Sequence, residues 1–435
     1  MIQRYYIECP VCRKVTVLRI QAGFLAWHPI RFNCGNCKIS LYGEASFNAP
    51  NITLNMCRGK IINEVQNPNF LLSVSGELLC PKLISITSND EIYSSMSPFI
   101  HATSLMGFDK YNEFKQYIIN SLDYILKQQN HFIICNQLHF LKQDNYLKNE
   151  LSYLPKDIYP LNNEVDLYRA IHFVNRQFYE IINKEQAKAI AIANLIFKEI
   201  DDYIQNNKKE FLNLIQYFDN VGLLDKWEYN IFQLSKQIIE NFHKFIPIIG
   251  KKYYSQDINQ LEQTYSINTI SFEEIEPIYF KCYELLSDML PILIAYNNLK
   301  YRNNFETMKP GIKFMKKDIK TITDYISVDS KGFRIDCIDG TEMFDNIVYN
   351  IFDRAVRNSI GHFNYEILTQ DVFNQTILFK NLKNNNKNET RSLLKICISM
   401  WQMFIAINDV AEIIYQTKKT SYLTKGIIPT LKMQF

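Results

Sequence analysis

Two Cys-x2-Cys pairs near the N-terminus, Cys9-Pro10-Val11-Cys12 and Cys34-Gly35-Asn36-Cys37, constrain the fold of this chain more than any other feature. They are separated by 21 residues. Each pair fits a tight turn that offers two thiolates, and two such turns at this spacing complete a tetrahedral site for one zinc ion. Four thiolates also suit an iron–sulfur centre, and the bland alternative is a set of unrelated buried cysteines; zinc is the reading the spacing favours. With every ligand position taken by protein there is no place for a metal-bound water, so the zinc is expected to be structural and not catalytic.

The segments around the cysteines alternate as strands do, in Val15-Thr16-Val17-Leu18-Arg19-Ile20 and Ile39-Ser40-Leu41-Tyr42-Gly43, so residues 1–48 resemble a zinc ribbon. This segment carries Arg4, Arg13, Lys14, Arg19, Arg31 and Lys38 against Glu8 and Glu44, a net +4, while the whole chain is only +3. Interleaved with Phe24, Trp27, Phe32 and Tyr42, those cations suit a surface that touches phosphates and stacks bases, and suit a protein-docking ribbon as well. His28, between Trp27 and Pro29, reads as a loop histidine. From 49 to 104 short β-like runs suggest a small β-rich extension, in which Cys57 and Cys80 read as small buried hydrophobes.

A chain of 435 residues exceeds one small core. No apolar run at the start resembles a secretory signal, and the longest one, Ala187 to Phe197, is too short to span a bilayer, so a cytoplasmic location without membrane association is expected. Helical periodicity dominates from about 105 to 265, as in Phe114-Tyr117-Ile118-Leu122-Ile125 and Leu167-Ile171-Val174-Phe178-Ile181, and suggests a scaffold or sensor region. Beyond it, Ser271-Phe272-Glu273-Glu274 reads as a capped helix start, with Pro291 kinking or splitting the helix that follows. Tyr325–Val328 and Phe333–Ile338 read as a strand pair, Gln375–Phe379 as another strand, and Arg391 to Tyr415 as a final helix.

Between these lies the stretch with the most chemistry, Arg354-Ala355-Val356-Arg357-Asn358-Ser359-Ile360-Gly361-His362-Phe363-Asn364-Tyr365. Phe344, Ile347, Val348, Ile351 and Phe352 before it have amphipathic spacing, Gly361 reads as the helix stop, and Arg357 and His362 then reach one phosphate. An Asp353–Arg357 ion pair is the structural alternative. The run 302–320, with Arg302, Lys309, Lys313, Lys316, Lys317 and Lys320 against Glu306 and Asp318, is a solvated face or an RNA guide. The acid-free terminus with Lys418, Lys419, Lys425 and Lys432 offers a second contact.

Arg357-Asn358-Ser359-Ile360-Gly361-His362 resembles the signature of the HEPN superfamily, an Arg followed four to six residues later by His at a helix end, often with Asn after the Arg. The resemblance covers about residues 270–420. It implies a HEPN-like helical bundle with short β-hairpin insertions at 266–435, which completes a mainly α fold with the zinc ribbon at 1–48, the β-rich extension at 49–104 and the helical scaffold or sensor region at 105–265 read from the residues. It also implies a metal-independent endoribonuclease, acting as a homodimer on RNA, of the kind found among toxins and anti-phage effectors held in check until triggered, with an antitoxin or a phage-derived trigger as partner. Arg357, Asn358 and His362 are then catalytic, and Tyr365, Lys313, Lys316 and Lys317 contact substrate. Some members are silenced by modification of a tyrosine two residues after the histidine; Tyr365 lies three after it and is assigned to packing or substrate contact. The alternative is a non-catalytic zinc-ribbon protein that binds nucleic acid or protein and uses the helical bundle to dimerise.

Overall fold

The computed structural model describes residues 2–48, 51–183, 186–368, 375–381 and 388–430. The chain gathers into two compact units, each assembled from three separate stretches: Met1–Asn120, Glu240–Phe280 and Asp353–Trp401 in the first, and Ser121–Ile239, Lys281–Phe352 and Gln402–Phe435 in the second.

The first unit holds most of the strands. Ile2–Glu8 and Val15–Gln21 form one antiparallel hairpin, and Trp27–Asn33 and Ser40–Asn48 form another, with a Cys-x2-Cys turn at the tip of each. The first hairpin lies in a five-stranded sheet ordered Lys60–Ile62, Ile2–Glu8, Val15–Gln21, Phe70–Val74, Ile84–Ser85. Val15–Gln21 is buried at every position and pairs in parallel with Phe70–Val74. The second hairpin continues into Asn51–Arg58 to make a three-stranded sheet. Ile7, Leu18, Ile20, Ile30, Leu41 and Ala45 share one core with Cys9 and Cys34. The cysteine cluster and the hydrophobic centre of these strands are therefore one structure.

Several side chains read from sequence as surface groups belong to this interior. His28 is 1% exposed in Trp27–Asn33, where burial pushes its imidazole down to about 4, so it is a core histidine and not a loop one. Phe32 is buried, and Phe24 packs edge-on against Phe114, so neither is a platform for bases. The Trp27 ring meets that of His243 at a tilt of 47°, and the guanidinium groups of Arg31 and Arg58 lie over the Tyr42 ring. Cys80 is buried as expected, whereas Cys57 is exposed, because its place in an edge strand of alternating burial turns it outward.

The second unit is mainly helical. Its interior is built from the helices Glu164–Asn183, Gln186–Asn206, Lys208–Val221 and Leu223–Glu240, together with parts of the long helices Phe108–Phe140, Phe272–Arg302 and Leu393–Thr424. The helical periodicity read over 105–265 is therefore realised. Phe272–Arg302 starts where Ser271 predicts, the Ser271 N–H donating to Glu274 Oε2 at 2.9 Å, and it runs through Pro291 without being split. Burial of Leu290, Ile292, Leu293 and Ala295 on either side holds it. Leu393–Thr424 is long and apolar enough to cross a membrane, but 72% of its apolar window is buried in protein.

The expected strand pair at Tyr325–Val328 and Phe333–Ile338 is instead two short helices, Ile322–Ser327 and Lys331–Asp336. Alternation over five residues suits either structure, and the caps decide. Thr321 and Asp324 form a capping box, and the Ser330 hydroxyl accepts from the Phe333 N–H at 3.3 Å. The basic run 302–320 meets acids from elsewhere in this unit: Arg302 with Glu342 at 2.6 Å, Lys309 with Asp339 at 2.5 Å, Lys317 with Asp324 at 3.8 Å. In the acid-free terminus, Lys418 is drawn between Asp225 and Glu228, and Lys425 meets Asp219 at 2.8 Å.

Candidate functional site

The two cysteine turns are built alike. In the first, the Arg13 N–H donates to the Cys9 carbonyl at 3.0 Å and the Cys9 N–H to the Lys14 carbonyl at 2.9 Å; in the second, Lys38 donates to Cys34 at 3.0 Å and Cys34 to Ile39 at 2.9 Å. Arg13 and Lys38 occupy the same place in each turn with φ of 61° and 66°. Such a turn aims amide N–H groups and both thiols toward one point. The four sulfurs lie within 4.8 Å of one another, with Cys9–Cys37 at 3.4 Å and Cys12–Cys34 at 3.5 Å. A tetrahedron of Zn–S bonds has sulfur–sulfur edges of about 3.8 Å, so small shifts of these four side chains, opening the two short pairs by a few tenths of an ångström, suffice around an ion. Burial works against the thiolate across the cluster and pushes the Cys34 and Cys37 thiols up, while at Cys12 the Lys14 amide, Asn36 and the neighbouring thiols outweigh it and hold the thiol below its usual range. Gly35 is required by proximity, since a Cβ there would meet the Phe70 ring at 2.5 Å. The four cysteines can hold a metal ion, and their donor set is compatible with zinc.

A second set of potential ligands, His131, Cys135 and Glu150, also comes together, but His131 Nδ1 and Glu150 Oε1 already form a pair at 2.5 Å beside a fully buried thiol.

The Arg-Asn-x3-His stretch occupies a single short helix, Arg354–Gly361, in the first unit. The amphipathic run before it does not extend this helix. Met343–Ile347 is one 3-10 turn that buries Phe344 and Asp345, and Asp353 begins the motif helix afresh by accepting from the Val356 N–H at 3.2 Å. The other Asp353 oxygen receives Arg391 at 2.8 Å, fixing the helix start to the strand Glu389–Ser392. Val356, Ser359 and Ile360 face inward, and the Ser359 hydroxyl donates to the Lys380 carbonyl at 3.2 Å. Asn358, Gly361 and His362 are left exposed.

Gly361 is not the stop. The helix passes through it and ends in a Schellman arrangement, in which the Asn364 N–H donates to the Ser359 carbonyl at 2.8 Å and the Phe363 N–H to Ile360 at 3.1 Å. The left-handed position is therefore Phe363, with φ of 54°. Gly361 serves a different purpose: a Cβ there would press on the Phe280 ring at 3.2 Å. That same ring carries the Arg357 guanidinium 5.5 Å from its centroid, and Arg357 Nη1 donates to Asn358 Oδ1 at 3.3 Å. The His362 backbone N–H donates to the Asn358 carbonyl at 3.2 Å, and its exposed imidazole has no side-chain partner among the described residues.

Of the remaining sequence-derived site residues, Tyr365 belongs to this unit. Its hydroxyl donates to Glu276 Oε2 at 2.8 Å and its ring meets Phe272 edge-on; burial, together with Glu276, raises its hydroxyl to about 12. It packs the hairpin that follows the motif. Lys313, Lys316 and Lys317 fall in the second unit, in the small hairpin Lys313–Phe314 and Lys317–Asp318. Phe280, Phe363 and Arg391, which hold or flank the motif, were not assigned a role by sequence, since Phe280 and Arg391 reach it from outside its local stretch. No protein-family model, curated protein or solved structure compared with this chain matches it.

Proposed function

We propose that this chain is a metal-independent endoribonuclease of the HEPN type, with a structural zinc in its N-terminal ribbon. The observation that carries the reading is the motif helix itself. An arginine, an asparagine and a histidine stand together at its open end, and everything around them is pinned: Asp353 by Arg391, Ser359 by Lys380, Arg357 over Phe280. A pinned helix that presents these side chains at its exposed end supports catalysis by positioning.

RNA supplies its own nucleophile in the 2′-hydroxyl. In this reaction His362 takes the 2′-hydroxyl proton as O2′ bonds to phosphorus. The P–O5′ bond then breaks, and the departing 5′-oxygen takes a proton from solvent or from an acid on a second copy of the chain. Arg357 keeps its charge and donates to the non-bridging oxygens, where negative charge accumulates. Asn358, already holding Arg357, orients it. The products are a 2′,3′-cyclic phosphate and a 5′-hydroxyl. Phe363, 82% exposed directly after His362, offers a face for a neighbouring base. The active form in this reading is a homodimer with two motifs facing one another, working as an anti-phage or toxin effector.

The test uses purified protein and single-stranded RNA. Wild type cleaves in EDTA, while Arg357→Ala and His362→Ala do not, with the folded state checked by circular dichroism. Cleavage unchanged in both variants overturns the assignment. Salt-sensitive RNA binding with no cleavage by wild type favours a non-catalytic binding protein instead.

A further inference from the structure

The second unit contains a cavity of about 90 Å³ that the ribonuclease reading does not use. It lies between the helices Phe108–Phe140, Glu164–Asn183, Leu223–Glu240 and Leu393–Thr424, where small-molecule sites in helical bundles form. Carboxamides reach it from separate helices. Asn136, 1% exposed, donates through Nδ2 to Asn175 Oδ1 at 2.7 Å and to the Phe132 carbonyl at 2.9 Å, but its own Oδ1 is buried without a partner. Asn408 lines the same cavity with both amide atoms buried and unpaired. Native interiors pair nearly all such atoms, because each one left bare carries a desolvation penalty. The neighbouring charges, by contrast, are settled: His172 Nε2 meets Glu412 Oε2 at 3.1 Å, and Gln416 donates to the other Glu412 oxygen at 2.8 Å. What remains open is one amide donor and two amide acceptors, the complement of a neutral edge that both donates and accepts.

A larger cavity of about 330 Å³ shares His172, Arg176, Glu180 and Tyr415 with the first, so the two adjoin at these side chains. Tyr159 and Phe173 give it aromatic surface, and the His172 imidazole lies flat on Tyr415 at an interplanar angle of 4°. Its cations are Arg169, whose Nη1 is buried and unpaired, and Arg176, held by Glu180 at 2.8 Å. A guanidinium with an unpaired buried donor fits a phosphate oxygen.

We infer that these adjoining cavities form a nucleotide site, which takes a nucleoside monophosphate with its base edge toward Asn136 and Asn408 and its phosphate toward Arg169. Asparagine amides read base edges by paired donor and acceptor contacts, and aromatic rings stack on the base. A site of this kind gives the helical unit a ligand of its own, independent of the motif in the first unit.

The experiment is isothermal titration of the full chain with AMP, GMP, CMP and UMP, alongside adenosine and inorganic phosphate. At least one nucleotide is expected to bind at one per chain, with phosphate alone weaker by about tenfold or more. Arg169→Ala should weaken the nucleotide by about tenfold while leaving the nucleoside unchanged. Asn408→Leu should weaken both and raise the melting temperature of the ligand-free protein, since it removes two unpaired buried atoms. Any of three results overturns the site: no nucleotide binding at millimolar concentration, phosphate binding as well as the nucleotides, or nucleotide affinity untouched by both variants. None of these depends on whether the protein cleaves RNA.

Discussion

Replacing Phe363 with glycine should make the protein more stable, although it deletes the largest side chain in the motif loop. Phe363 sits at φ 54°, the left-handed position that closes the motif helix. Left-handed backbone costs an L-residue about 1–2 kcal/mol through crowding of Cβ against the following carbonyl. Glycine escapes that crowding but gives back roughly 0.5–1 kcal/mol as extra freedom in the unfolded chain. The phenyl group contributes little on the other side, since Phe363 is 82% exposed. The net gain is about 0.5–1 kcal/mol, a melting temperature higher by about 2–4 °C per kcal/mol for a unit of this size. Phe363→Ala is the control: it loses the ring, keeps the strained backbone, and should not gain. Thermal and urea melts of both variants measure this. A Phe363→Gly protein no more stable than wild type would show that the ring makes a contact worth as much as the backbone strain, and the argument would fail. Stability gained together with weaker RNA binding would assign the ring to substrate.

Glu77 gives a pH signature. It is 2% exposed, one carboxylate oxygen accepts from the Phe24 and Leu25 N–H groups, and burial raises its carboxyl to about 7. The folded state therefore binds a proton that the unfolded state has already released between about pH 4.5 and 7, so stability falls as pH rises through that window, by at most about 3 kcal/mol. Glu77→Gln should flatten that part of the urea-midpoint profile, and an unchanged slope would refute the assignment. Asp353→Ala removes both the helix cap and the partner of Arg391, and should lower the urea-derived stability by about 1–2 kcal/mol. An organomercurial that titrates the thiols should release one zinc per chain into a chromogenic chelator and lower the melting temperature; Cys34→Ala protein should release none. Zinc released equally from both would place the metal elsewhere.

The parts of this fold legible in the chain are those whose causes lie close together in sequence. The cysteine turns are fixed by spacing within a few residues, and the start of Phe272–Arg302 by Ser271 and Glu274. The helical stripe of Phe114, Tyr117 and Ile118 is buried as its periodicity requires. Even so, short alternating runs misled: the residues around Tyr325 and Phe333 alternate like strands and fold as helices because their caps prevail. Gly361 marked the motif but not its end, since the chain closes the helix two residues later on a phenylalanine.

By itself, then, the sequence determined the cysteine turns, the helical character of the second unit and the presence of an Arg-Asn-x3-His helix. Tertiary structure alone decided what surrounds them. Arg391 reaches Asp353, Phe280 carries Arg357, and Asn136 and Asn408 converge on one cavity from positions far apart in the chain. The physical reason is range. Turn geometry, capping and periodicity act over a few residues and leave local traces, whereas each unit is closed from three distant stretches, and a polar group's partner, or its lack of one, is set only when those stretches pack.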